Sequence, residues 1–301
     1  MKIFITGGSG FVGTALSRSL LSRGHEVTAA NRSIEGVLAV DDRIRLIKAD
    51  TTVRGMWQDE LGRHDAVVNL AGASVFQRWT KRIKNEILRS RVDTTRNIVE
   101  AIGKSGRKID LFSTSAVGYY GFRGDEEIDE TTGAGADFLA RVCVAWEDEA
   151  ARAGAYGSRV TLCRFGVVLG KNGGALEQLA SQFKRYMGGV LGSGEQWFSW
   201  IHMEDLIGMF HFLLENTDVS GPVNFTSPQP VTNRELTGAL SRAVNKPVIL
   251  PPAPGFALRI LLGEFGDFLL RGQRVIPAKI MKRGYGFRYP DIRSALKELL
   301  P

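Results

Sequence analysis

Cysteine is almost missing from this chain: 301 residues hold only Cys143 and Cys163, together with four histidines. So few thiols exclude a disulfide scaffold, and neither residue type recurs at ligand spacing, so no metal is expected. Two buried thiols in a reducing, cytoplasmic setting fit this usage. Long apolar runs are missing too. The longest, PGFALRILLGEFGDFLL, carries Arg259, Glu264 and Asp267. It is too short and too charged to cross a bilayer, so no membrane partner is expected, and it reads as a packed helix. The KIFIT strand starts at once, so no leader peptide is expected. There is no aromatic-interleaved basic stripe of the kind that grips nucleic acid. The densest basic run, Lys81, Arg82, Lys84, Arg89 and Arg91, lies on an expected helix and reads as a mostly solvated face.

What is present is ordinary globular composition, 44% hydrophobic and 24% charged, with 39 − 32 = +7 formal charges. That balance suits anionic ligands or solubility and says little about fold. The first half alternates strands with helices. KIFIT, HEVTAANR, RIRLIKAD, DAVVNLAG, IDLFSTSA and SRVTLCRFG are strand-like, and helical periodicity covers Phe11 to Arg23, Thr80 to Ile102 and Ala136 to Ala153. The unbroken VVNLA suits a strand covered on both faces. Such repetition implies parallel strands joined by right-handed crossovers. After Gly170 the pattern shifts to one helix amid glycine-rich loops, a Trp197, Phe198 and Trp200 cluster, a helix over Glu204 to Leu214, a strand at PVNFTS, and mostly helices beyond Thr232. The expected fold class is α/β: a Rossmann-type doubly wound parallel sheet with a smaller, mostly helical C-terminal lobe. Residues 1–165 and about 200–227 form the dinucleotide-binding domain, and 166–199 with 228–301 form the smaller lobe.

Thr6-Gly7-Gly8-Ser9-Gly10-Phe11-Val12-Gly13 closes the first strand and opens a helix. Gly7 suits the tight turn, Gly10 the close approach of a pyrophosphate, and Gly13 helix–strand contact. Backbone N–H groups at the helix start then hold the anion. In NAD-binding versions an acid ends the second strand; here that strand ends in Asn31, Arg32 and Ser33. The planar fork of Arg32 matches a 2′-phosphate, so NADP(H) is favoured over NAD(H). Asp50 and Thr51, ending the third strand, are placed to meet the adenine, and Leu70, Ala71 and Gly72, after the fourth, the ribose and pyrophosphate.

Together these stretches resemble the extended short-chain dehydrogenase/reductase superfamily, the nucleotide-sugar epimerases and dehydratases. TGGSGFVG is similar to its glycine motif, NLAGA to its fourth-strand motif and STSAVGYYG to its fifth-strand serine motif. RFGVVLG from Arg164 and WIHMEDL from Trp200 are similar to its Arg-x-x-x-Val-x-Gly and Tyr-Ile-His-Val-Asp-Asp-Leu stretches. More narrowly, SAVGYYG, FLARVCVAWE and the tail from Val275 to Leu296 resemble the YfcH-like epimerase family over the whole chain. The resemblance implies a small-molecule substrate and, through the helix from Thr80, a homodimer.

The superfamily's chemistry implies a serine plus a Tyr-x-x-x-Lys on the next helix, where the lysine lowers the phenol's pKa toward neutrality. Ser115 matches the serine. Phe138 stands where the tyrosine belongs and Val142 where the lysine belongs. Ser115 is the expected polarising group; Tyr119 and Tyr120 read as loop packing, with a replacement phenol as the alternative. Cys143 reads as a buried thiol, and His202 in WIHMED as mainly structural. The acidic stretch from Asp125 to Glu130 reads as solvated and helix-capping. Two functions follow: an NADP(H)-dependent oxidoreductase or epimerase-like enzyme with an atypical site, and a non-catalytic NADP(H)-binding sensor or scaffold.

Overall fold

The computed structural model describes residues 1–33 and 41–300. Seven strands form one sheet: β1 (Lys2–Thr6), β2 (Glu26–Asn31), β3 (Arg45–Lys48), β4 (Ala66–Asn69), β5 (Asp110–Ala116), β6 (Val160–Phe165) and β7 (Gly221–Phe225). Their order is β7-β6-β5-β4-β1-β2-β3, and every neighbouring pair is parallel. The order reverses beside β1, the point at which such sheets open a ligand crevice at their C-terminal ends.

Helices α1 (Phe11–Ser22), α2 (Trp57–Leu61), α3 (Lys81–Ser105), α4 (Phe138–Ala151), α5 (Gly174–Lys184) and α6 (Met203–Glu215) follow in chain order. Leu16 and Leu20 of α1 and Leu206, Met209 and Phe210 of α6 bury one face of the sheet. Trp57 of α2, Ile98 and Ile102 of α3, and Ala150 of α4 bury the other. With both faces covered, all four residues of β4 are buried, as its unbroken apolar run predicts. The α3 helix starts where Thr80 accepts the Ile83 N–H and ends where Gly106 turns left-handed at φ 64°. The short α2 carries no long periodic run and is not apparent from sequence.

The chain leaves the sheet after β6. Val167–Leu169 pairs in parallel with Trp200–His202, and Trp197–Phe198 pairs antiparallel with Val231–Thr232. A second core joins Leu176 and Phe183 of α5 and Trp200 to Leu236 and Leu240 of α7 (Asn233–Ala243). Further along come α8 (Gly255–Leu262), α9 (Glu264–Leu269), α10 (Ala278–Lys282) and α11 (Ile292–Leu299), and Leu296 of α11 completes that core. Trp200 therefore belongs to this second core; its indole N–H donates to the Gln229 carbonyl at 3.1 Å.

Two readings of the sequence are corrected here. PGFALRILLGEFGDFLL is not one packed helix. It breaks at Gly263, where φ is 62°, and α8 leaves Phe256, Ile260 and Leu261 66%, 72% and 69% exposed while α9 buries Phe265. The acidic stretch neither stays wholly in solvent nor caps the following helix. Glu127–Ile128 pairs in parallel with Arg274–Val275, and Glu130 is buried beneath the C-terminal segment. Cys143 and Cys163 are buried free thiols, the first pushed up to about 11 mainly by burial and the second also raised by burial. Among the described residues no helix is long and apolar enough to cross a membrane.

Candidate cofactor site

The turn after β1 is shaped by its glycines. Gly7 has φ 68°, and its amide donates to the Ala30 carbonyl at 3.1 Å. A Cβ on Gly13 would lie 2.4 Å from the Gly7 oxygen, so no side chain fits there. A Cβ on the exposed Gly10 would meet only that oxygen, at 3.2 Å, and otherwise fill the open side of the turn. Asn31 is buried, and its Oδ1 accepts the Ser9 N–H at 2.8 Å. It shapes the loop from beneath. Thr6 is also structural: its hydroxyl donates to Asn69 Oδ1 at 2.7 Å. The start of α1 has no capping side chain and no acid in its first turn. Uncapped amides at a positive helix end, beside a glycine whose Cβ would fill the approach, fit a diphosphate. The Phe11 ring closes the far wall, where a Cβ on Gly170, Gly173 or Gly174 would come within 2.8 Å of it, and Val12 joins the core.

The adenine side opens at the ends of β2 and β3. Arg32 and Ser33 are exposed, and residues 34–40 beyond them lie outside the described residues. Asp50 accepts the Thr52 amide and hydroxyl at 3.0 and 2.7 Å, and those bonds, with the Arg32 charge, hold its carboxyl below the usual range. Thr51 is buried. Its hydroxyl meets that of Thr94 at 3.2 Å and its carbonyl accepts Asn97 Nδ2 at 3.0 Å. Thr51 therefore supports the edge that Asp50 presents.

After β4 the backbone of Leu70 and Ala71 passes 3.0 and 3.1 Å from where a Gly7 Cβ would stand. The next residues meet Arg91. Its Nη1 donates to the carbonyls of Ala73 and Ile87, each at 3.0 Å, and a Cβ on Gly72 would sit 3.1 Å from the guanidinium carbon. The reading of the basic run as a solvated face holds for Lys81, Arg82 and Arg89 but not for Lys84, half-buried over the Phe138 ring at 5.0 Å, or for Arg91, which turns inward over the Trp146 ring at 5.2 Å.

The groups expected to do chemistry are engaged elsewhere. Ser115 is buried and its hydroxyl donates to Glu147 Oε1 at 2.6 Å. Arg164 grips Glu147 through Nε at 2.8 Å and Nη2 at 2.7 Å, and through Nη1 reaches the Tyr120 hydroxyl at 3.0 Å. Tyr120 donates to Asn224 Oδ1 at 2.6 Å, and burial pushes its phenol up to about 12. Tyr119 lies under the Arg164 guanidinium, 3.5 Å from its ring centre. Ser115 and Tyr120 thus belong to a buried polar network bracing β5, α4, β6 and β7, and the half-buried Tyr119 ring flanks it. A two-turn view of α4 explains the rest. Phe138 and Val142 join Ile83 and Ile87 of α3 in an apolar cluster, and Trp79 caps Phe138 with ring centres 5.3 Å apart. Phe265 and Phe268 of α9 meet Trp79 in tilted contacts, ring centres 5.7 and 5.9 Å apart. The place of the dyad is apolar and aromatic, with Val142 buried and Phe138 and Trp79 half-buried. Beside it is a cavity of about 340 Å³ lined by Phe122, Arg123, Asp137 and Arg271. His202 is structural: its Nδ1 accepts the Glu204 N–H at 3.1 Å, Nε2 meets Glu298 at 3.2 Å, and burial lowers its pKa.

Residues 3–225 match the family described as NAD dependent epimerase/dehydratase, and residues 253–299 match a domain of unknown function, DUF1731. The chain belongs to the NAD-dependent epimerase/dehydratase family. It is 38% identical over 306 residues to the chloroplastic epimerase family protein SDR39U1 homolog of Arabidopsis thaliana, covering 100% of this chain and 87% of that protein. It is 36% identical over 303 residues to the epimerase family protein YfhF of Bacillus subtilis, covering 100% of this chain and 98% of that one. The crystal structure of human epimerase family protein SDR39U1 with NADPH superposes with a TM-score of 0.87 at 32% identity, covering 100% of this chain and 99% of the human one.

This family member's sequence shows its cradle but hides its aromatic cap. Phe265 and Phe268 read as core because their partner, Trp79, lies far earlier in the chain, just before α3. Arg91 is hidden for a similar reason: alternate charges on α3 give no sign of which one faces inward.

Proposed function

We propose that this protein binds NADP(H) along the C-terminal ends of β1, β2 and β4, and acts on a small molecule in the adjoining cleft without the phenol–lysine relay of its superfamily. The observation that carries the reading is the uncapped start of α1 opposite an exposed Arg32. When bound, the coenzyme would supply or accept a hydride. Arg32 would take the 2′-phosphate, and the Gly7–Gly13 turn the diphosphate. Phe138 and Val142 offer no titratable group, so proton balance falls to solvent or to the small molecule itself. Arg271, laid over Phe122 at 5.3 Å, suits an anionic group on that molecule. Two buried free thiols support a reducing intracellular setting.

A second reading, an NADP(H)-loaded sensor or scaffold, is favoured by the sealing of Ser115 and Tyr120 inside the protein. NADPH fluorescence of the purified protein separates the two. Bleaching by an aldehyde, quinone or sugar nucleotide supports the enzyme. Tight NADPH with no bleaching across such a panel supports the sensor, and no bound NADPH refutes both.

A further inference from the structure

Among the described residues no carboxylate pairs with the guanidinium of Arg91, and its hydrogen bonds are to two carbonyls, Ala73 and Ile87, both from Nη1. Arg91 is half-buried, which disfavours its charge, and the nearby Cys143 thiol, pushed up to about 11, brings no negative charge to it. An uncompensated cation in such surroundings is costly unless an anion or a set of oxygens completes it. Its position shows where that partner would come from. On one side Arg91 abuts Gly72, which directly follows the Leu70–Ala71 backbone lining the Gly7 turn. On the other it lies over Trp146 and beside Cys143, four and one residues past Val142 on α4. Arg91 thus stands between the diphosphate cradle and the helix that should carry the lysine.

We propose that Arg91 supplies from α3 the cation that Val142 withholds from α4, and that its unused donors hold the nicotinamide-side ribose and phosphate oxygens of the dinucleotide. The inference rests on the NADP(H) reading above. Arginine suits the place better than lysine, because it keeps its charge when buried and offers a fork of donors. It also explains Gly72, where a side chain would press on the guanidinium. Arg91 is a binding and positioning residue and donates no proton to substrate.

The test is calorimetry on the full chain with two ligands, NADPH and adenosine 2′,5′-bisphosphate, the second lacking the nicotinamide half. Arg91→Gln should weaken NADPH about 10- to 100-fold while leaving the bisphosphate within about twofold, the loss of a charge-assisted contact on one half only. Arg91→Lys should recover part of the NADPH affinity. Should the arginine variants not fold, Gly72→Ala, which crowds the guanidinium from outside, should show the same selective loss. Equal weakening of both ligands, or an unchanged NADPH affinity, overturns the inference. If the unmodified protein binds neither ligand, the NADP(H) reading fails first; if it binds both and Arg91→Gln changes nothing, only the role of Arg91 fails.

Discussion

The Ser115 hydroxyl donates to Glu147 across 2.6 Å, and Glu147 is held from its other side by two nitrogens of Arg164. A serine in the position of a catalyst is here one support of a buried ion pair. Removing one partner of such a pair leaves the other's charge uncompensated, so Glu147→Gln should cost about 3–5 kcal/mol in urea unfolding. Ser115→Ala deletes one hydrogen bond to a carboxylate and should cost about 1–3 kcal/mol. Its affinity for NADPH should stay unchanged. Full stability with lost affinity would return Ser115 to the cofactor.

Restoring the superfamily dyad should not restore its chemistry. Val142 is 3% exposed and packs on Ile83 and Ile87, so Val142→Lys buries an ammonium among aliphatics near the Arg91 charge. The double variant Phe138→Tyr, Val142→Lys should melt well below the parent and show no gain in NADPH oxidation. A stable variant with new turnover would contradict the account of this cluster.

Acid sensitivity should come partly from His211, whose Nε2 meets the Ser19 hydroxyl at 2.7 Å. Burial, then the charges of Arg23 and His25, lower its pKa from 6.5 to about 4, against a weaker opposing pull from Glu215. The unfolded chain therefore takes up the proton first. Its contribution is whole above the unfolded value and is lost as pH falls from about 6.5 toward about 4. Burial also lowers His64 and His202, in the same direction. Melting temperature should fall between about pH 7 and about pH 5, and His211→Gln should flatten that fall. An unchanged slope would remove His211 from the explanation.

Glu130 fastens the C-terminal segment. Its two oxygens accept the Asn224 and Lys279 amides, each at 3.0 Å. Glu130→Ala leaves both donors without a partner and should cost about 2–4 kcal/mol. Limited proteolysis should then cut near α10 while the sheet domain survives. Equal resistance in variant and parent would show that the segment is held elsewhere.

The sheet and the cradle were legible because they rest on local signals. Alternation and unbroken apolar runs mark β1 to β7, and Gly7, Gly10 and Gly13 sit at a fixed spacing from the end of β1. The missing dyad was legible from Phe138 and Val142 because the superfamily resemblance marks those two positions. What could not be read depends on contacts between distant parts of the chain. Glu127 pairs with Arg274, Glu147 with Ser115 and Arg164, and Trp79 with α9; none of these is implied by spacing. Composition likewise could not tell that Gly263 would break PGFALRILLGEFGDFLL and turn the apolar face of α8 outward.

The most direct measurement is calorimetric titration of the protein and its Arg32→Ala variant with NADPH and with NADH. The account predicts clear NADPH binding by the parent, weakened about 10- to 100-fold in the variant, with NADH changed by no more than about twofold, since only the former carries the 2′-phosphate. Equal weakening of both coenzymes, or no heat from either with the parent protein, would contradict it.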